Sequence, residues 1–67
     1  MKIDTKQIID TWVPRLRKLK IRQYQFATMS GVHASQFSQY VSDRIKPTTA
    51  SFEKIENKIR ELEDGIH

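Results

Sequence analysis

The sequence predicts an all-α fold, a compact four- to five-helix bundle in one domain spanning residues 1–67, with a helix–turn–helix at its centre. Three observations carry this. Ile8, Ile9, Trp12, Val13, Leu16 and Leu19 follow one another at helical spacing. Residues 23–41 divide into two short helical patterns on either side of Gly31. After Pro47, the residues Phe52, Ile55, Ile59, Leu62 and Ile66 recur at intervals of three and four.

The first helix is predicted to begin at Asp4 or Thr5, either of which can cap it. Pro14 lacks an amide donor and its ring collides with the preceding turn. The pattern therefore implies either one bent helix over about residues 5–19 or two pieces meeting near Val13. Trp12 lies in the apolar stripe and reads as core. Arg15, Arg17, Lys18, Lys20 and Arg22 then crowd a short stretch that, on residue type alone, is a solvated basic face.

In the central stretch Phe26, Ala27, Met29 and Ser30 give a small, apolar face. Gly31 adopts a left-handed backbone without steric cost and ends that helix, and Val32 follows as a plug. Phe37, Tyr40 and Val41 form the apolar stripe of the next helix. Ser35, Ser38, Gln39 and Ser42 form the opposite face, which is polar, short and uncharged. A helix shown only to water usually carries Lys and Glu there. A helix that fits into a groove and touches base edges wants compact hydrogen-bonding side chains.

The last helix starts near Thr48 or Thr49 and ends at Gly65. Its apolar seam is about two heptads long, with Glu53, Glu56, Lys58, Arg60, Glu61 and Glu63 beside it. Phe52 and Ile55 read as packing within the domain. Ile59, Leu62 and Ile66 read as a dimer contact, with packing against the first helix as the alternative.

Composition narrows the chemistry. Sixty-seven residues lie near the lower limit for a domain that folds without a metal, disulfide or partner. The absence of cysteine rules out a disulfide framework and a thiolate metal site, and two histidines 34 residues apart make no metal site by themselves. No apolar run approaches the ~20 residues of a bilayer span, and the N-terminus lacks a signal peptide's apolar core. A cytoplasmic chain with no membrane partner, no cofactor and no small-molecule ligand is expected. The charge is uneven: residues 1–47 hold nine Lys or Arg against three Asp or Glu, a net of +6, and residues 48–67 hold three against five, a net of −2. A basic body with an acidic tail suggests a polyanion on one side. Catalysis has little support. Ser30, Ser35 and Ser38 lie near His33 in sequence, but no carboxylate is placed to orient that imidazole, and no glycine-rich phosphate loop or carboxylate pair is present.

Gln23, Phe26-Ala27, Gly31-Val32, Phe37 and Tyr40, in that order and at those intervals, resemble the helix–turn–helix of the lambda repressor and Cro class, the Xre-like family. Asp43-Arg44-Ile45-Lys46-Pro47-Thr48 resembles the family's loop into the next helix, and the likeness covers roughly residues 16–59. Three positions depart from it: Arg22 and His33 stand where Ser or Thr caps are common, and Asp43 replaces a frequent glycine. The resemblance implies that the second helix of the motif lies in the major groove of double-stranded DNA. Ala34, Ser35, Ser38 and Gln39 would then read bases, and Arg22, Gln23, His33, Gln36, Arg44 and Lys46 would contact the backbone. Tyr24 either reaches a phosphate or is an exposed, partly packed tyrosine.

The function implied is a transcriptional regulator of the Cro kind, a phage, prophage or plasmid repressor binding an operator as a homodimer. The alternative is an antitoxin-like or adaptor protein holding a protein partner through the last helix. A DNA-bending or excision accessory factor is a third reading.

Overall fold

A computed structural model describes residues 4–65 and arranges them as five helices: α1 Thr5–Ile9, α2 Trp12–Lys18, α3 Gln23–Ser30, α4 Ala34–Val41 and α5 Thr49–Asp64. Asp4 caps α1, its carboxylate accepting from the Lys6 amide at 3.0 Å. The first long apolar pattern is split into two helices, but the break is not at Val13. It falls at Asp10 and Thr11, the cap residues that end α1 and begin α2. A proline ring collides with the carbonyl four residues earlier, and four residues before Pro14 stands Asp10. The chain turns at that carbonyl. Pro14 then occupies the first turn of α2, where an amide would have no helical acceptor. Thr11 Oγ1 donates to the Ile8 carbonyl at 2.6 Å and fixes the corner.

Three of the helix ends share one device. Lys20, Gly31 and Asp43 all take left-handed backbone, with φ of 59°, 77° and 65°. After each, the next amide reaches back to close the helix: Ile21 N to Leu16 O at 3.0 Å, Val32 N to Ala27 O at 2.9 Å, and Arg44 N to Gln39 O at 2.9 Å. Asp43 thus performs the turn that a glycine commonly performs, since a short polar side chain tolerates this conformation better than most. α5 begins at Thr48, whose hydroxyl accepts from the Ser51 amide at 3.2 Å, and ends at Gly65.

The core collects one face from each helix. Trp12, Phe26, Phe37, Ile55 and Ile59 are fully buried, with Leu16 and Ala27 almost so. Phe37 of α4 joins two layers: its ring lies 6.0 Å from Trp12 of α2 and 5.4 Å from Phe26 of α3. Phe52 of α5 approaches the Trp12 ring at 5.5 Å. α3 packs chiefly on α4, while α5 crosses α2 and α3. Val32 is half-buried against this core, but Met29 is turned outward.

Ile59 has no exposed surface and belongs to the domain's own core, so it is not a dimer contact of the folded chain. Leu62 is half-buried and packs against the same cluster. Ile66 lies outside the described residues. As far as Leu62 the seam packs within the molecule, because α5 lies along α2 and α3.

Candidate nucleic-acid interface

α4 presents two unlike sides. Phe37 and Tyr40 are buried and Val41 is half-buried, whereas Ala34, Ser35, Gln36, Ser38 and Gln39 are all exposed. Among the described residues, the hydroxyls of Ser35 and Ser38 and the amides of Gln36 and Gln39 make no hydrogen bond within the chain. Other hydroxyls are committed to it. Ser30 Oγ donates to the Phe26 carbonyl at 3.0 Å, Thr28 Oγ1 to the Tyr24 carbonyl at 3.1 Å, and Ser42 Oγ to the Ser38 carbonyl at 2.8 Å. Ser42 therefore does not belong with the outward set, although the helical spacing groups it there. What remains on α4 is a rigid, uncharged row of free donors and acceptors.

The N-terminal end of α3 opens beside the start of α4. Arg22, Gln23 and Tyr24 line a groove with Arg17, Lys20 and Ala34, so the predicted backbone residues Arg22 and Gln23 are brought next to a predicted base reader. Arg22 cannot accept a hydrogen bond, and α3 gains only half of a reciprocal cap: the Arg22 amide donates to Gln25 Oε1 at 3.1 Å. The amides of Gln23 and Tyr24, in the first turn, have no acceptor within the chain. His33 precedes α4 without a side-chain capping bond and is exposed. At the far end of α4, Arg44 and Lys46 are exposed in the loop that Asp43 turns.

The charges sort by location. Lys6 pairs with Asp10, Lys58 with Glu61, and Arg60 with Glu56. Arg15 pairs with two carboxylates, Glu56 at 3.0 Å and Glu63 at 2.8 Å. Among the described residues, Arg17, Lys18, Lys20, Arg22, Arg44, Lys46 and Lys54 have no carboxylate partner. Four of these flank the α3–α4 pair, Lys20 and Arg22 just before α3 and Arg44 and Lys46 just after α4. Lys54 is a cation the sequence did not single out. Its Nζ lies 3.4 Å from the place a β-carbon on Gly31 would take, over the turn between α3 and α4. Only the folding of α5 against α3 brings it there.

Arg15 does not belong to the free basic face. It is held in a buried network whose centre is Glu56, a carboxylate 7% exposed that also accepts from Trp12 Nε1 at 2.9 Å and Arg60 Nε at 2.8 Å. Burial alone pushes the Glu56 carboxyl up, but the hydrogen bonds from Arg15 and Trp12 outweigh it and hold the group below the usual carboxylate range. The hydrogen bond to Arg15 likewise holds Glu63 low, and the same bond, with those to Glu56, keeps the Arg15 guanidinium more basic than usual. A glutamate beside Phe52, Ile55 and Ile59 on one helix face, with a core tryptophan needing an acceptor, was the available signal.

Among the described residues no three His, Cys, Asp or Glu side chains gather into a set that could hold a metal ion. No helix among them is long and apolar enough to cross a membrane. The His33 imidazole has no carboxylate hydrogen-bonded to it, and Ser30 is bound to its own helix. The arrangement can bind through hydrogen bonds and charge. Comparison with family models, with curated proteins and with solved structures finds no match to this chain.

Proposed function

We propose that this chain is a sequence-specific double-stranded DNA-binding protein and acts as a transcriptional regulator of the Cro kind. The reading rests on one observation: α4 carries an exposed, uncharged row of unpaired hydroxyls and amides, with unpaired cations at both ends of the α3–α4 pair. Free hydrogen-bonding groups on a rigid helix suit base edges, and cations beside them suit phosphates. The three-residue turn with Gly31 between the two helices suits a helix–turn–helix.

In this reading α4 enters the major groove. Ala34, Ser35, Ser38 and Gln39 face bases, and Arg22, Gln23, His33, Gln36, Arg44 and Lys46 face the backbone. The free amides at the start of α3 add donors for a phosphate. One helix reads only a few base pairs, so two copies would occupy half-sites about 34 Å apart on one face of the duplex. Regulation would follow from overlap of that site with a promoter. The rival reading, a partner protein held by the apolar seam of α5, loses its main support because Ile59 is buried and Leu62 is packed on the core.

The test is fluorescence-anisotropy binding to duplex from the region upstream of its own gene and to scrambled duplex, across a salt series. Strong preference for one duplex, with affinity falling steeply as salt rises, is expected. Weak binding without preference sinks the proposal.

A further inference from the structure

We infer that the base pairs read by two-bond contacts from α4 are A·T pairs, and that no G·C pair receives such a contact from this helix. The inference rests on the DNA reading proposed above and adds the class of site that reading leaves open. In the major groove a guanine offers two acceptors, O6 and N7, and the side chains that match them both carry positively charged donors, arginine above all. The partner cytosine offers an amine, which asks for a carboxylate. Between Ala34 and Val41 the chain has no Arg, Lys, Asp or Glu, so neither strand of a G·C pair meets its usual partner on α4.

The groups α4 does present match the other pair. Adenine shows a donor, N6, beside an acceptor, N7. A glutamine side chain shows an acceptor beside a donor and pairs with both. Gln39 is exposed, and among the described residues no group holds its amide, so either orientation is open to it. Gln36 offers a second amide on the flank. Ala34, exposed at the start of the helix, offers a methyl group to the thymine methyl. Ser35 and Ser38 suit several bases and exclude none.

The nearby cations do not restore a guanine reader. Arg44 departs from the loop beyond Ser42, at the end of α4 opposite to Ala34 and Ser35, while the N-terminal residues of such a helix contact bases. Arg22 stands before α3, its own amide engaged by Gln25. The exposed His33 imidazole, when neutral, has one donor and one acceptor and cannot give guanine two parallel donors.

The test selects duplexes from a randomised pool with the full chain, then replaces single bases in the selected duplex. A·T pairs should occupy the most constrained positions. At one adenine, 7-deazaadenine, which lacks the N7 acceptor, should weaken wild-type binding about tenfold. That loss should vanish in Gln39→Ala. Replacing guanines by 7-deazaguanine should cost well under about tenfold, since a serine hydroxyl donates one bond to a guanine and never two. Constrained guanines whose 7-deaza replacement weakens binding about tenfold or more would overturn the A·T inference while leaving DNA reading intact. A pool with no enrichment, bound equally weakly in all sequences, would overturn both.

Discussion

Gln39 and Ser42 lie three residues apart on the polar side of α4, yet only one of them is free. Ser42 Oγ is hydrogen-bonded to the Ser38 carbonyl at 2.8 Å, whereas the Gln39 amide has no partner among the described residues. If α4 reads bases, Gln39→Ala should cost ~1–3 kcal/mol on the preferred duplex and leave random duplex unchanged. Ser42→Ala should leave both within ~0.5 kcal/mol. Equal weakening of preferred and random duplex by Gln39→Ala, read by anisotropy titration, would remove it from the base-reading set. Backbone conformation gives a second residue-level prediction. Lys20 holds φ of 59°, a left-handed geometry that costs most L-residues roughly 1–2 kcal/mol. Glycine removes that strain but loses more chain entropy on folding. Lys20→Gly should therefore stabilise the fold by ~0.5–1 kcal/mol in urea titration. Asp43→Gly should gain less, because aspartate already tolerates that region. Gly31 was legible as a turn from residue type. Lys20 was not, because lysine carries no preference for such a backbone and only the closing bond from Ile21 to Leu16 reveals the turn.

At the level of elements, α2 and α5 are joined by a charge network in place of a purely apolar seam. Glu56 accepts from Trp12, Arg15 and Arg60 with almost no exposed surface, so removing it leaves the Trp12 indole without its acceptor and Arg15 with Glu63 alone. Glu56→Ala should cost ~1–3 kcal/mol, the cost of a buried donor left unsatisfied and a large share of so small a domain's stability. Glu63 is more exposed, and Glu63→Ala should cost at most ~1 kcal/mol. Both carboxyls are held below their ordinary range, so their contribution is complete above the unfolded value near ~4.3 and is lost as pH falls through the folded values. The urea midpoint should stay level from about pH 7 to 5 and drop below about 4.5. Glu56→Gln should flatten the acid limb. A full-sized acid limb in that variant would place the titrating groups elsewhere. These joints show where helical spacing stops informing. It located α3, α4 and α5 because their apolar residues repeat, and it placed Trp12 in the core. At the N-terminus it left open one bent helix or two pieces meeting near Val13, and the two pieces meet at Asp10 and Thr11, because the proline clash acts on a carbonyl one turn earlier. It assigned Arg15 to a solvated face, because an ion pair spanning 41 residues depends on how two helices lie together.

For the whole molecule, the question is what surface remains once the fold has covered its own core. Ile59 of the α5 seam is closed off internally and Leu62 is packed on the core, and among the described residues the large apolar side chains left in view are Tyr24 at 57% exposure, Met29 at 45% and Ile45 at 40%, none of them on α5. Ile59→Ala should thus act as a core truncation, costing ~2–5 kcal/mol. Tm should be independent of protein concentration over a hundredfold range. A Tm that climbs with concentration would show a subunit contact contributing to stability. The charge left over is as uneven as the apolar surface. Arg17, Lys18, Lys20, Arg22, Arg44, Lys46 and Lys54 lack carboxylate partners among the described residues, whereas Arg15, Lys58 and Arg60 are paired. Each cation that meets a phosphate releases counterions and adds ~0.9 to the magnitude of the slope of log K against log salt. If all seven did so, the slope for one bound copy would reach about −6, and it should be no steeper. Arg44→Ala should lower the affinity for every sequence and reduce that magnitude by about one. Lys58→Ala, which removes a cation already held by Glu61 at 3.1 Å, should leave it unchanged. Equal reductions in the two variants would mean that net charge, and not the placement of free cations at the ends of the α3–α4 pair, governs the attraction to DNA.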